Sequence, residues 1–408
     1  MKHILIVCMH FYPVQFRVND IALELVRRGY KVTVVTGIPN YPDAKFTKGY
    51  GWFKKRKENY QGIDIIRIPI FPRGNNSISL ILNYFSFNFF GFFFSIFSMV
   101  KADHVFIYGT SPLLKAMVGL RYAKRKKIKS TLYVMDLWPE SVQYAGGIDN
   151  KHVLSYLRRK MKRIYDLSDN ILVSSKSFFE PIRSFNVEES KIIYWPQAAE
   201  SVFNEKESSK KTEIIRDHKL NLIFTGTIAV AQGLNILVDV AEKLKQNNQK
   251  DIRFVLVGDG RAKADLIQYT KDKEVEPYFQ FIDRKPVTDI PAYYAQSDAA
   301  LLTLLDNPIF KLTIPAKLQS YMTYGIPVLA SASGEVSSII EESGCGLVSN
   351  SEDVKGLYDN IIRFIALSST ERSKMAVNGK EYANQNFSKD RLMNQLEEVM
   401  HLKENNDV

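Results

Sequence analysis

Short apolar runs alternate with amphipathic stretches along nearly the whole chain. In the first half HILIVCM, KVTVVTG, IDIIRIPI, HVFIYGT, STLYVMD, NILVSS and KIIYWP read as strands, while NDIALELVRRGY, LLKAMVGLRYAKRKK and SYLRRKMKRIYDLSD repeat apolar residues at helical spacing. Strands that are apolar throughout and separated by helices predict a parallel sheet covered on both faces. The alternation restarts at LNLIFTG and continues through IRFVLVGDG, FQFIDR, AALLTLL, PVLAS and CGLVSN. The pattern therefore predicts an α/β protein of two doubly wound domains, 1–204 and 205–384, divided in the polar stretch 205–211. A helix over 385–402 is expected to pack back on the first domain. Two such domains facing one another leave a cleft at the carboxyl ends of their strands, where open α/β sheets bind ligands.

In the second domain KLTIPAKLQSYMTYGIPVLAS, residues 311–331, predicts a short, sharply bounded helix followed by a buried strand. Pro315 suits the first helical position, Thr313 can cap just ahead of it, Gly325 can close the helix in the left-handed conformation, and Pro327 prevents continuation. Lys317 then falls in the first turn, where the helix dipole disfavours a cation. An anion at the free N–H groups would relieve that conflict. An ordinary connection with a solvated lysine would leave the same pattern.

One stretch departs from the alternation: SISLILNYFSFNFFGFFFSIFSMV, residues 77–100, has no charged residue and is dense in phenylalanine. About 20 apolar residues suffice to cross a bilayer. Yet the stretch lies between IDIIRIPI and ADHVFIYGT, which read as neighbouring strands of one sheet, and a crossing helix would put them on opposite sides of the membrane. Asn83, Ser86, Asn88, Gly91, Ser95 and Ser98 also interrupt the run, giving it a sheet-facing and a lipid-facing side. A helix embedded in a membrane surface is expected, with a buried core helix and a true span as the alternatives.

Charge supports a membrane. Residues 1–200 carry 30 Lys and Arg against 15 Asp and Glu, the remainder 25 against 29, so the whole net charge of +11 comes from the first half. Such a half seeks a polyanion; without a recognised nucleic-acid reader motif, an anionic bilayer is expected and nucleic acid is not. A content of 45% hydrophobic and 24% charged residues excludes a disordered chain. Cys8 and Cys345 lie far apart without CxxC spacing, which implies neither a disulfide framework nor a zinc site. The opening MKHILIVCMHFYP lacks a small-x-small cleavage site and is read as the first strand.

Only VGDGRAKA, with Gly258 and Gly260, approaches a dinucleotide fingerprint, and it stands one strand too late in its domain. No GxxxxGK[ST] loop, DxD or HExxH occurs, so no metal is expected and anion handling rests on amides and cations. FTGTIAVAQG, residues 224–233, supplies amides at a strand end adjacent to the 311–331 segment.

These segments resemble a known family. GTIAVAQGLNIL, LVGDGRAKADL, IPAYYAQSDAALLTL and PAKLQSYMTYGIPVLAS look like the retaining, nucleotide-sugar-dependent glycosyltransferases of family 4. Their GT-B fold has two Rossmann-like doubly wound domains facing a cleft. FYPVQFRVNDIALELVRRGYKVTVVTGIPNYP, NYFSF and MDLWPESV narrow the resemblance to the branch that builds bacterial capsule and O-antigen repeats, and most of all to N-acetyl-L-fucosamine transferases. The resemblance implies transfer of a sugar from a UDP-sugar to a lipid-diphosphate-linked saccharide, at the cytoplasmic face of the bacterial plasma membrane and with no cofactor. The chain also departs from the pattern. Leu312 and Ser320 stand where many members have two glutamates, and Thr227 and Gln232 replace the arginine and lysine that clamp the diphosphate. Lys317 is thereby left as the principal diphosphate cation, assisted by amides at the helix start and in the loop from Gly226 to Gly233.

The resemblance also distributes roles. Asp136, at the end of STLYVMD, and Glu140 fall near the acceptor and the donor sugar, with Asp136 preferred for taking a proton from the acceptor hydroxyl or orienting it. A helix cap or loop salt bridge is the plainer reading of that carboxylate. His10 and Arg17 fall on the acceptor side, Arg17 toward a phosphate. Arg284 falls at the nucleotide base, Glu335 beside Gly334 at a donor hydroxyl or amide, and Thr313 and Ser320 complete the donor side. Three rivals stay open. A nucleotide-sugar 2-epimerase shares the architecture but has no need of a phenylalanine-rich, cationic first domain. A non-catalytic basic membrane or nucleic-acid scaffold predicts no saturable nucleotide-sugar binding, and an NAD-dependent oxidoreductase rests on VGDG alone.

Overall fold

The computed structural model of the protein describes residues 1–41, 44–74, 76–204 and 210–402. The chain forms two units, Met1–Trp195 with Asp390–Val408, and Pro196–Lys389. The first contains β1 (His3–Val7), β2 (Lys31–Gly37), β3 (Lys57–Tyr60), β4 (Ile63–Ile68), β5 (His104–Gly109), β6 (Lys129–Val134), β7 (Asn170–Val173) and β8 (Ile192–Tyr194). They form one eight-stranded sheet in the order β3-β4-β2-β1-β5-β6-β7-β8. Every pairing is parallel except β3 with β4, where the polar KENY segment adds an antiparallel edge. β4 and β5 share the sheet but are not neighbours: β4 pairs with β2, and β5 with β1. The chain winds outward from the fully buried β1, then returns to its other side. That reversal between β1 and β5 is the switch point at which such sheets bind ligands.

Among the helices of this unit are α1 (Arg17–Arg27), α2 (Ser77–Phe97), α3 (Ala116–Lys126) and α4 (Lys151–Leu167). The phenylalanine-rich α2 is built inside out. Asn83, Ser86 and Ser95 are buried, and the Asn83 amide donates to the Phe71 carbonyl (2.6 Å) while the Ser86 hydroxyl accepts the Phe71 N–H (3.0 Å). Gly91 permits close contact with α3, since a Cβ there would lie 2.4 Å from a Val118 methyl. The polar and small residues thus tie the helix down, and Ile78, Ile81, Phe85, Phe89, Phe93 and Phe97 form an exposed stripe along its outer side. Ile78–Phe97 is long and apolar enough to cross a membrane, with 28% of the window buried, which does not fit a buried core helix.

The handover between units falls earlier than the polar stretch 205–211, of which residues 205–209 lie outside the described residues. Trp195 is the last residue of the first unit: its ring packs 4.7 Å from that of Tyr133, and its indole N–H donates to the Leu392 carbonyl (2.7 Å) of the C-terminal helix Lys389–Val399. Arg28 holds the same helix through Glu397 (2.9 Å). Phe203, by contrast, stacks on Tyr294 in the core of the second unit, which draws residues 196–204 into that unit.

The second unit has β9 (Leu220–Thr225), β10 (Ile252–Val257), β11 (Phe279–Ile282), β12 (Ala299–Thr303), β13 (Val328–Ser331) and β14 (Gly346–Ser349), all parallel, in the order β11-β10-β9-β12-β13-β14. Alternate residues feed two cores, with Ile223, Val255 and Ala300 on one face and Leu222, Phe254 and Leu301 on the other. Here the reversal falls between β9 and β12.

Candidate active site

In the second unit the site grows from the strand ends at that reversal. After β12 the short turn Pro308–Lys311 leads to the helix Ala316–Tyr324, whose N-cap is Pro315 (φ −67°, ψ 135°), with no side-chain cap. Pro315 therefore stands one position ahead of the first helical residue. Thr313 is not the cap either: its hydroxyl donates to the Ile309 carbonyl (2.8 Å), because the preceding turn ends beside it. Gly325 closes the helix at φ 83°.

Lys317 lies in the first turn and is half-buried rather than solvated. Its ammonium donates to the Gln232 side-chain carbonyl and stands 3.8 Å from the centre of the Phe224 ring. No salt bridge reaches it among the described residues, and desolvation lowers its pKa from 10.5 to about 7. Gln232 is held in turn by Thr303, whose hydroxyl donates to its backbone carbonyl (2.5 Å). Beneath the helix Tyr321 donates to the Leu301 carbonyl (3.2 Å), and the Thr225 hydroxyl meets that of Tyr294 (2.8 Å).

The loop from Gly226 to Gly233 offers fewer amides than expected. The N–H of Gly226 donates to Val257 and that of Gly233 to Val230, so neither is available to a ligand. Their neighbour Thr227 is exposed. Gly226 has φ 134°, a conformation that side chains resist, and faces the Lys317 ammonium. The glycines of VGDG serve packing: a Cβ on Gly258 would lie 1.9 Å from the Gly226 carbonyl oxygen, and one on Gly260 2.1 Å from that of Ile228. At the helix start the orphan N–H groups of the first turn remain, although that of Leu318 donates to Pro315 (3.0 Å). Ser320 is buried and its hydroxyl donates to the Ala316 carbonyl (3.2 Å), which turns it into its own helix. Glu335 is buried as the first residue of the helix Glu335–Ser343, behind Gly334 (φ 77°), and Arg284 is exposed after β11.

In the first unit Asp136 follows β6, and its carboxylate accepts the Ser111 N–H (2.7 Å). Ser111 also accepts from the Trp138 indole (2.9 Å), while Thr110 accepts from the Lys115 ammonium. His10 is stacked on Phe16 at 5.3 Å, and burial, with Lys115 and Arg73 nearby, lowers its pKa to about 3, so it is neutral at pH 7. Arg17 is the first residue of α1, and its charge faces Tyr108. Glu140 stands apart from Asp136 in its interactions: one carboxyl oxygen is buried without a hydrogen bond, burial raises its pKa, and its neighbours are Arg158 and Tyr165 of α4. Lys115 and Phe224 are the residues that sequence reasoning missed. Lys115 did carry a signal, for SPLLKAM repeats the IPAKLQ pattern of a proline followed within a turn by lysine at a helix start.

Residues 14–200 match the domain described as Glycosyltransferase Family 4, and residues 205–382 that described as Glycosyl transferases group 1. The chain is a GT-B glycosyltransferase. Its fold is that of the sucrose-phosphate synthase of Thermosynechococcus elongatus (TM-score 0.76, 15% identity, covering 98% of this chain and 99% of that one). It is also like, at a lower score, HepE of Anabaena, solved in complex with UDP and glucose (TM-score 0.66, 13% identity, covering 98% of this chain and 100% of that one). In sequence the glycosyltransferase is 22% identical over 388 residues to WcaI of Escherichia coli K12, named for colanic acid biosynthesis, spanning 91% of this chain and 92% of the relative.

Proposed function

We propose that this glycosyltransferase moves a sugar, in the finest reading N-acetyl-L-fucosamine, from its UDP derivative to a lipid-diphosphate-linked saccharide during synthesis of a capsule or O-antigen type of polysaccharide. The observation that carries the donor half is the Lys317 ammonium at a helix start, desolvated and without a salt bridge among the described residues. As the bond between the sugar and the diphosphate breaks, negative charge collects on UDP. The acceptor hydroxyl bonds to the sugar carbon and gives up its proton, for which Asp136 is the receiving or orienting carboxylate. Lys317 and the first-turn amides stabilise the leaving diphosphate, a contribution of several kcal/mol in a preorganised site. The UDP bound by HepE and the name of WcaI support the donor and pathway class.

The acceptor half is carried by α2. Its apolar stripe runs the length of the helix and is aromatic from Phe85 onward, and Arg121 of α3 lies 5.3 Å from the Phe92 ring, with Arg125 donating to the Ser98 carbonyl (2.6 Å). Phenylalanine inserted at the headgroup level with guanidinium groups beside it is the chemistry of a helix lying in an anionic leaflet. In this reading the enzyme works at the cytoplasmic face of the plasma membrane, without a bilayer crossing.

A thermal-shift panel tests the donor. UDP or one UDP-sugar raises the melting temperature selectively, by the linkage of ligand to the folded state, and NAD alone doing so overturns the reading. Flotation with vesicles of phosphatidylcholine and phosphatidylglycerol tests the membrane. Phe85→Glu with Phe89→Glu abolishes binding, whereas equal recovery of parent and variant with the vesicles removes the assignment.

A further inference from the structure

We propose that Lys115 is a positioning residue that holds the Asp136 carboxylate in place through the segment Thr110–Ser111. The inference rests on the reading of Asp136 as a group at the reacting sugar. Lys115 is 1% exposed and is the last residue before α3, so its cation sits where the helix dipole opposes it. The Thr110 hydroxyl is its one hydrogen-bond acceptor among the described residues, although an ammonium has three donors. Such a group costs more to bury than a leucine of the kind found at Leu113 and Leu114, and hydrophobic packing alone does not call for it.

The reason for it lies in what Thr110 and Ser111 touch. Thr110 takes the ammonium; the next N–H, from Ser111, goes to one oxygen of Asp136; and the Ser111 hydroxyl takes the indole of Trp138, two residues beyond Asp136. Two consecutive residues are thus pinned from the start of α3, the end of β6 and the loop after it. Gly109 allows this approach, since a Cβ there would lie 2.3 Å from the Tyr133 carbonyl oxygen. Cys8 and His10, which also face Lys115, are neutral at pH 7, because burial raises the thiol to about 12 and lowers the imidazole to about 3. Asp136 is then the charged group facing the ammonium. Its other oxygen makes no hydrogen bond among the described residues, which leaves it for a substrate hydroxyl.

The test uses the full chain, with UDP release measured at saturating UDP-sugar, taking the donor that the thermal-shift panel selects. Lys115→Met is expected to lower kcat at least tenfold while KM for the donor and UDP affinity stay within twofold, with the melting temperature unchanged or higher. A merely structural lysine would leave kcat per folded molecule as it was. Should Lys115→Met fail to fold, Thr110→Val removes the ammonium's acceptor and is expected to lower kcat in the same way. Full kcat in the folded lysine variant, or in Thr110→Val where that variant decides, overturns the proposal when Asp136→Asn has lost its rate. Full kcat in Asp136→Asn would instead sink the reading of Asp136, and the positioning role with it.

Discussion

Each unit of this glycosyltransferase places a lysine at the start of the helix next in line after the strand at its switch point, Lys115 after β5 and Lys317 after β12. The two differ in access and in counter-charge. Lys115 is sealed and faces Asp136; Lys317 is half-buried, meets the neutral Gln232 and the Phe224 ring with no salt bridge among the described residues, and has the lower pKa, about 7 against about 8. The same local pattern therefore yields two devices. A cation whose carboxylate is supplied by the fold organises the protein. A cation that keeps an accessible side and lacks a carboxylate is suited to an anion that arrives with the substrate.

The comparison breaks most readily at Lys317. Lys317→Met is expected to lower kcat by a factor of about 100 to 1,000, the scale of losing one preorganised donor to a developing anion. Steady-state UDP release checks it, and a variant as fast as the parent at saturating donor would erase the distinction. Next in size is stability. Asp136→Asn removes the charge that faces the Lys115 ammonium and should cost about 1 kcal/mol in urea unfolding, whereas Lys317→Met should cost nothing or stabilise the unliganded protein.

The pH dependence sharpens the contrast. Because the folded protein binds the Lys317 proton less tightly than the unfolded chain, its contribution to unliganded stability rises with pH between about 7 and the ordinary lysine value of 10.5. UDP reverses this by favouring the ammonium. Affinity should then fall by up to tenfold for each unit above pH 7, with proton uptake on binding, as titration calorimetry in two buffers of different ionisation enthalpy would show. The smallest effect is expected from Gln232→Leu, which removes the neutral acceptor of Lys317 and should change kcat by about threefold, the size of one ordinary hydrogen bond. A loss as large as that of Lys317→Met would mean that Gln232, not the lysine, carries the site.

Much of the fold was legible because its signals are local. Apolar runs marked the strands, and Gly325 followed by Pro327 marked where a helix must stop. The candidate site was legible only in part. Asp136 stands at a strand end and Lys317 at a helix start that the pattern located, yet the amides of Gly226 and Gly233 were already spent on backbone partners, and Thr313 and Ser320 had turned to carbonyls of their own segments. No spacing rule reports such competition, since a hydroxyl or amide chooses among acceptors that the fold brings close. The short KENY edge strand was likewise hidden, for its polar residues gain order only by pairing with β4.

By itself the sequence determined the two rounds of strand and helix, the stop signals, the excess of cation in the first half and the phenylalanine content of α2, because φ restriction, periodicity and charge act over a few residues or over none. Tertiary structure alone decided that β2 and β1 separate β4 from β5, that Asn83, Ser86 and Ser95 of α2 face inward while Phe85, Phe89, Phe93 and Phe97 face out, and that Lys115 lies within the field of a carboxylate while Lys317 donates to a neutral amide. Those outcomes depend on contacts between residues distant in the chain, whose burial and partners exist only once the sheets have formed.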